Sequence, residues 1–174
     1  MKYVEKIAAF DLDGTLWDKN SHIEILNAYY KTNFFSSFVF RGVSHFFRKQ
    51  MYKFIWYCYK KIPKEFVFQF ELQFNKETLN LLKSKMHENY FCLIVSNAPY
   101  EIVFHAAERL KIPFLQAPQY QKKKTLDENY TYSQLFVCTD NIEDLDLLKA
   151  SNSRKIIFTK YNKKVFNKAG FYED

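Results

Sequence analysis

The 174 residues, 48% hydrophobic and 26% charged, are enough for one compact domain with a sizeable core and an inserted subdomain. Three Gly and four Pro argue against repeats and flexible linkers, and three cysteines, an odd number, exclude a disulfide framework. The longest uncharged run, Asn89–Tyr100, is too short to cross a bilayer as a helix. The N-terminal residues Met1–Lys6 lack the apolar core of a signal peptide, so the chain is expected to be cytoplasmic.

The first predicted strand is the apolar run Ile7–Phe10, and two carboxylates, Asp11 and Asp13, follow it directly. Side chains alternate along a strand, so an extended chain would place both carboxylates on the same side at the strand's carboxyl end. Two like charges in such a position are costly unless a cation lies between them or one is protonated. The pair therefore indicates a metal site or a nucleophile.

The next segment, Ser21–Phe70, breaks the strand pattern and predicts two or three inserted helices. It holds eight Lys or Arg against two Glu, a net charge of +6 out of +7 for the whole chain, and 16 of the 34 aromatic residues. Its apolar residues at helical spacing are Phe35, Val39, Val43, Phe46, Phe47, Met51, Phe54, Ile55, Tyr59 and Ile62. The basic residues between them are Arg41, Arg48, Lys49, Lys53, Lys60 and Lys61.

After the insertion, predicted strands alternate with helices, which is typical of a doubly wound α/β domain with a parallel sheet. The further predicted strands are Tyr90–Val95, Leu135–Cys138 and Lys155–Thr159. Ligands in such sheets bind beyond the carboxyl ends of the strands. Two of these ends carry polar groups: Ser96 and Asn97 follow the second strand, and Thr139-Asp140-Asn141 end the third, with Asp144 four residues after Asp140.

Carboxylates, a serine hydroxyl and one lysine of Lys122-Lys123-Lys124 would meet at this edge, and the set suits phosphoryl transfer. Mg²⁺ prefers hard oxygen ligands, and a carboxylate can act as a nucleophile that forms an aspartyl phosphate. The metal, the lysine, the hydroxyl and backbone N–H groups would offset the charge of the phosphate. A second aspartate would serve as general acid and base.

Three motifs in this order resemble those of the haloacid dehalogenase-like (HAD) superfamily. Asp11-Leu12-Asp13-Gly14-Thr15-Leu16 is similar to its first motif, Val95-Ser96-Asn97-Ala98 to its second, and Asp140-Asn141-Ile142-Glu143-Asp144 to its fourth. The insertion between the first two motifs resembles the helical cap of the phosphoserine-phosphatase-like branch. The resemblance implies a Rossmann-like core at residues 1–20 and 71–174, with a cap at 21–70.

The resemblance also implies residue roles. Asp11 would be the nucleophile and a Mg²⁺ ligand, and Asp13 the general acid and base, with its backbone carbonyl on the metal. Ser96 and Asn97 would bind the phosphate, Asp140 would complete the metal site, and Asp144 would order its surroundings or pair with the lysine. An Asp at position 13 favours a phosphatase over the dehalogenase and phosphonatase branches.

Two positions depart from the family pattern. Thr139 precedes Asp140 where the fourth motif usually has glycine, and its side chain is expected to narrow the edge of the site without removing a ligand. The lysine of the third motif is Lys122 or Lys124. We favour Lys122, because Leu126 follows it four residues later, as in a helix anchored by an apolar face.

The predicted function is Mg²⁺-dependent hydrolysis of a small phosphomonoester whose identity the motifs do not specify. The alternatives are a phosphatase of lipid or isoprenoid phosphates working at the inner membrane surface, and a non-catalytic binding module. The basic, aromatic insertion is expected to pack as an ordinary cap. Peripheral membrane contact and a dimer interface are alternative interpretations. Nucleic-acid binding is a further one, which we disfavour. The oligomeric state is left open.

Overall fold

The structure is a computed structural model that describes residues 1–71 and 73–173. The side chains of Arg41, Val43, Ser44, His45, Arg48, Lys49 and Tyr52 lie outside this description; the sequence analysis named Arg41, Val43, Arg48 and Lys49 among them. The chain divides into two compact units. We call Met1–Asp18 with Gln73–Asp174 the core unit, and Lys19–Leu72 the helical unit.

The core unit is built on a five-stranded, all-parallel sheet in the order β3-β2-β1-β4-β5. Its strands are β1 (Lys2–Phe10), β2 (Phe91–Ser96), β3 (Phe114–Gln116), β4 (Tyr130–Thr139) and β5 (Ser153–Ile156). β1 is central, and its final residues Ile7–Phe10 are fully buried between β2 and β4. The predicted α/β fold with a parallel sheet is confirmed.

The predicted strands were incomplete in two respects. β3 was missed, because a three-residue strand directly after Pro113 carries no readable alternation pattern. The predicted strand Lys155–Thr159 begins two residues earlier, at Ser153, and ends at Ile156. Its start was missed because the first three residues of β5 are exposed and polar, unlike the apolar run that was used to predict it. β1 and β4 also extend beyond their apolar runs through partly exposed pairs such as Val4 with Tyr132.

Helices connect the strands and cover the sheet. In the core unit they are α5 (Lys76–His87), α6 (Tyr100–Leu110), α7 (Lys122–Asn129), α8 (Leu145–Ala150) and α9 (Lys163–Lys168). The Asn75 side chain caps α5 by accepting a hydrogen bond from the Thr78 N–H at 3.0 Å. The core combines Leu93 and Val95 of β2 with Leu126, Leu147 and Phe166 from the helices.

The helical unit contains α1 (Ser21–Tyr29), α2 (Phe38–Phe46), α3 (Arg48–Tyr59) and α4 (Lys64–Gln69), with a 3₁₀ turn at Phe34–Ser36. Four α-helices therefore form where two or three were predicted. The buried apolar side chains described in this unit are Ile25, Leu26, Phe35, Phe40, Tyr59, Ile62 and Val67. Among the described residues, no helix is both long and apolar enough to span a membrane.

Candidate active site

Three neighbouring strands end at the same edge of the sheet. Asp11 follows β1, Ser96 ends β2, and Asp140 follows β4. β1 pairs with both other strands, and the Asp11 N–H extends the ladder by donating to the Cys138 carbonyl at 2.9 Å. The parallel topology thus brings together residues that are far apart in sequence.

A buried lysine joins two of the carboxylates at this edge. Lys122 Nζ lies 2.7 Å from Asp11 Oδ1 and 2.8 Å from Asp144 Oδ2, and all three side chains are at most 5% exposed. Burial acts to lower the pKa of Lys122, but the two carboxylates outweigh it and hold that pKa above its ordinary value. The lysine therefore stays charged and offsets negative charge inside the site.

Lys122 begins α7, whose Leu126 is fully buried one turn later. Lys124, the alternative lysine, is exposed and lies 3.8 Å from Glu128 on the same helix, while Lys123 pairs with Asp127. Of the three lysines, the structure brings Lys122 alone into contact with Asp11.

The hydroxyl group of Thr139 holds the Asp144 carboxylate in place. Its Oγ1 donates to Asp144 Oδ2 at 2.7 Å and accepts a hydrogen bond from the Asn141 N–H at 2.9 Å. The second oxygen of Asp144, Oδ1, is buried and has no hydrogen-bond partner among the described residues. From the sequence we expected this threonine only to narrow the edge of the site, and its hydrogen bond to Asp144 was not predicted.

Asp140 lies directly against the loop that follows β1. Its Oδ1 is 3.3 Å from Thr15 Oγ1, and its N–H donates to the same hydroxyl at 3.0 Å. Gly14 has φ +73°, and a Cβ built there would lie 2.2 Å from Asp140 Oδ2. Both the backbone conformation and the contact thus require glycine at position 14.

Asn162 is a supporting residue that the sequence analysis did not single out. Its buried Nδ2 donates to the Asp140 carbonyl at 2.6 Å and to the Ile157 carbonyl at 3.0 Å, and its Oδ1 accepts from the Thr159 N–H. These bonds hold the chain after β4 against the chain after β5. The only available signal was an asparagine just beyond the last predicted strand.

The remaining predicted residues lie around this network. Ser96 is buried, and its Oγ accepts a hydrogen bond from the Ala98 N–H at 3.2 Å, whereas Asn97 is exposed. Asp13 is half-buried in the turn after β1 and forms a backbone bridge with Trp17. β1 ends at Phe10, so the regular alternation of a strand does not by itself fix the direction of the Asp13 side chain, and the prediction that it lies on the same side as Asp11 stays a prediction.

The predicted metal site combines Asp140 with Asp11. Burial, and next the negative charge of Asp11, raise the pKa of Asp140 to about 7. Among the described residues, no group of three or more His, Cys, Asp and Glu side chains could hold a metal ion. The predicted set needs only two carboxylates, Asp11 and Asp140, with a backbone carbonyl and non-protein oxygens, a composition that Mg²⁺ accepts.

No protein-family model and no curated protein matches the sequence. Solved structures do match, at low sequence identity. A phosphoserine phosphohydrolase-like protein from Francisella tularensis subsp. tularensis SCHU S4 is similar with TM-score 0.68 and 14% identity, over 97% of this chain and 94% of that one. A phosphoserine phosphatase, solved as an analogue of its phospho-aspartyl intermediate, is similar with TM-score 0.65 and 13% identity, over 97% and 91%.

A protein of unknown function from Bordetella pertussis Tohama I is similar with TM-score 0.69 and 13% identity, over 97% of both chains. These similarities extend over nearly the whole length of each chain, including the stretch that forms the helical unit. They agree with the α/β fold and its parallel sheet. The chain therefore shares the fold of the phosphoserine phosphatase, with a Rossmann-like α/β core, as expected from the resemblance of its motifs to those of the haloacid dehalogenase-like superfamily.

Proposed function

We propose that this protein is a phosphatase that hydrolyses a small phosphomonoester through an aspartyl phosphate at Asp11. The observation that carries the proposal is the buried Lys122, held between Asp11 and Asp144 at the edge where β1, β2 and β4 end. A cation fixed beside a candidate nucleophile offsets the charge of an approaching phosphate. The structural neighbours support the same class of reaction.

Asp11 is suited to nucleophilic attack because its two oxygens are in different environments. Oδ1 accepts hydrogen bonds from the Leu12 N–H at 2.8 Å and from Lys122. Neither contact uses Oδ2, which is the oxygen we assign to the attack. The bonds to Oδ1 fix the carboxylate, so the nucleophile is oriented before substrate binds.

Asp13 is the proposed general acid and base. In the first step Asp11 Oδ2 bonds to phosphorus, the phosphorus–oxygen ester bond breaks, and protonated Asp13 gives its proton to the leaving oxygen. In the second step Asp13 takes a proton from water, the water oxygen bonds to phosphorus, and the bond to Asp11 breaks. Inorganic phosphate leaves and both carboxylates return to their starting state.

Mg²⁺ would be held by the Asp11 and Asp140 side chains and the Asp13 carbonyl. When bound, it would neutralise charge on the phosphoryl oxygens. The protein's own part is to keep Asp140 in place through Thr15 and Asn162, and to supply the Ser96 hydroxyl and neighbouring backbone N–H groups to the phosphate. The predicted cytoplasmic location belongs to the same proposal, and the free thiols of Cys92 and Cys138 fit it.

The test measures phosphate release from a panel that spans an aryl phosphate, phosphoserine, sugar phosphates and lipid phosphates in detergent. We expect turnover that requires Mg²⁺ and stops in excess chelator. In parallel, thermal unfolding should show that Mg²⁺ raises the Tm of the wild type and leaves the Tm of Asp140→Asn unchanged. Full activity in excess chelator would contradict the metal site, and a folded, Mg²⁺-binding protein without turnover would favour the non-catalytic alternative.

A further inference from the structure

Helix α2 of the helical unit exposes apolar side chains to solvent. Phe38, Val39 and Phe46 are 89%, 68% and 80% exposed. With about 100° between successive residues, these three and the exposed Gly42 fall within an arc of about 100° on one side of the helix. We call these four residues the exposed α2 face. A helix of a globular unit normally buries its apolar face, and this one exposes it.

The opposite side of α2 packs against aromatic rings. Phe40, which points away from the exposed α2 face, is 4% exposed, and its ring centroid lies 5.2 Å from that of Phe34 and 5.6 Å from that of Phe35. Phe35 in turn stacks on Phe54 of α3 at 6.2 Å. The packing of Phe40 therefore fixes α2 with the exposed α2 face toward solvent.

Positive charge accompanies the exposed rings. Residues 21–70 carry a net charge of +6, so the rest of the chain is nearly neutral. Five of the lysines are exposed: Lys31, Lys53, Lys60, Lys61 and Lys64. Two of them lie over aromatic rings, with Lys60 Nζ 6.0 Å from the ring of Trp56 and Lys61 Nζ 4.2 Å from the ring of Tyr57. A helical unit that carries both exposed apolar side chains and aromatic–lysine pairs has the composition of a surface that binds at a membrane interface.

We propose that the helical unit docks on the surface of an anionic phospholipid bilayer. The exposed α2 face enters the boundary between headgroups and acyl chains, and the lysines contact lipid phosphates. With nine residues, α2 is about 14 Å long and lies along the surface instead of crossing it.

Charge is the reason to choose a bilayer over other partners. A second copy of the chain would bring another helical unit of charge +6 against the first, whereas an anionic bilayer supplies negative charge and an apolar layer together. A nucleic acid offers phosphates and base faces but no apolar layer for the aliphatic Val39 beside Phe38. The proposal does not rest on the chemistry of Asp11, and Asp11→Asn should bind vesicles as the wild type does.

The experiment is co-sedimentation of the full chain with vesicles of phosphatidylcholine, with and without phosphatidylserine. We expect binding to the anionic vesicles, and a loss of about tenfold or more in the double variant Phe38→Ser/Phe46→Ser. Both residues are exposed, so the variant should keep its helicity. The matched control is Tyr172→Ser, which removes an exposed ring from the core unit and should bind normally.

Charge is tested by a second pair of variants. Lys60→Glu/Lys61→Glu should weaken binding to anionic vesicles strongly, and Lys160→Glu/Lys164→Glu, an equal charge change in the core unit, should weaken it much less. As a gain-of-signal measurement, the emission of Phe38→Trp should shift to shorter wavelength when anionic vesicles are added.

Four results would overturn the proposal. The first is vesicle binding by Phe38→Ser/Phe46→Ser that equals that of the wild type. The second is an equal loss of vesicle binding in Lys60→Glu/Lys61→Glu and in Lys160→Glu/Lys164→Glu. The third is a wild-type dimer that Phe38→Ser/Phe46→Ser dissociates, without vesicle binding, since the face would then join two copies. The fourth is binding to single-stranded nucleic acid without binding to vesicles.

Discussion

Lys122 places its ammonium 2.7 Å from Asp11 Oδ1, inside a site where the lysine side chain is only 3% exposed. A charge buried to this extent must be paired, and its second partner is Asp144. The lysine is therefore part of the fold as well as of the proposed chemistry, and its removal should affect both.

Replacing Lys122 with Met should destabilise the protein by about 3 kcal/mol or more, because Asp11 and Asp144 would lose their buried partner. Urea unfolding, followed by circular dichroism, measures the loss. Lys124→Met is the matched control: its ion pair with Glu128 is exposed, and its removal should change stability by less than about 1 kcal/mol. Equal effects of the two substitutions would contradict the structural account of Lys122.

Gly14→Ala should disturb the metal site more than the backbone conformation alone explains. The positive φ costs an alanine about 1 kcal/mol, and the new Cβ would also displace the Asp140 carboxylate. We expect the Mg²⁺ concentration for half-maximal activity to rise about tenfold or more.

Gly170→Ala separates these two effects. Gly170 has φ +87°, but no atom of the described residues lies within 4 Å of its Cβ position, so this variant carries the conformational cost without the contact. Its Mg²⁺ dependence should equal that of the wild type. The same shift in both variants would mean that Asp140 does not depend on glycine at position 14.

Thr139 should matter through its hydroxyl group. Thr139→Val keeps the shape but removes the hydrogen bonds to Asp144 and to the Asn141 N–H, at a cost of about 1–3 kcal/mol. Thr139→Ser keeps both bonds and should remain within about 1 kcal/mol of the wild type. Urea unfolding of the two variants decides the matter, and a serine variant less stable than the valine variant would show that the methyl group is the important part.

The sequence was sufficient to predict the fold class and the positions of several site residues, for physical reasons. Buried strands of a parallel sheet are continuous apolar runs, so the carboxyl ends that carry Asp11, Ser96 and Asp140 were readable. Lys122 was favoured over Lys124 because Leu126 marked a buried helix face. The roles of these residues stay predictions.

Other features leave no local pattern. β3 has only three residues, and the exposed halves of β1 and β4 alternate too weakly to be recognised. The contacts of Asn162 with the Asp140 carbonyl, and of Thr139 with Asp144, depend on tertiary placement of chain segments that sequence spacing does not specify. The exposure of Phe38 and Phe46 was equally unpredictable, because an apolar helix face normally indicates burial.

Nucleophilic attack by Asp11 is tested most directly by measuring the turnover of an aryl phosphate by Asp11→Asn. Lys122 keeps Asp144 as its partner in this variant, so the fold should survive, as thermal unfolding would show. Asp146→Asn, a substitution of an exposed carboxylate on α8, is the control and should be fully active. We expect Asp11→Asn to lose about a thousandfold or more in kcat/KM. A folded Asp11→Asn enzyme with wild-type kcat/KM would show that Asp11 is not the nucleophile.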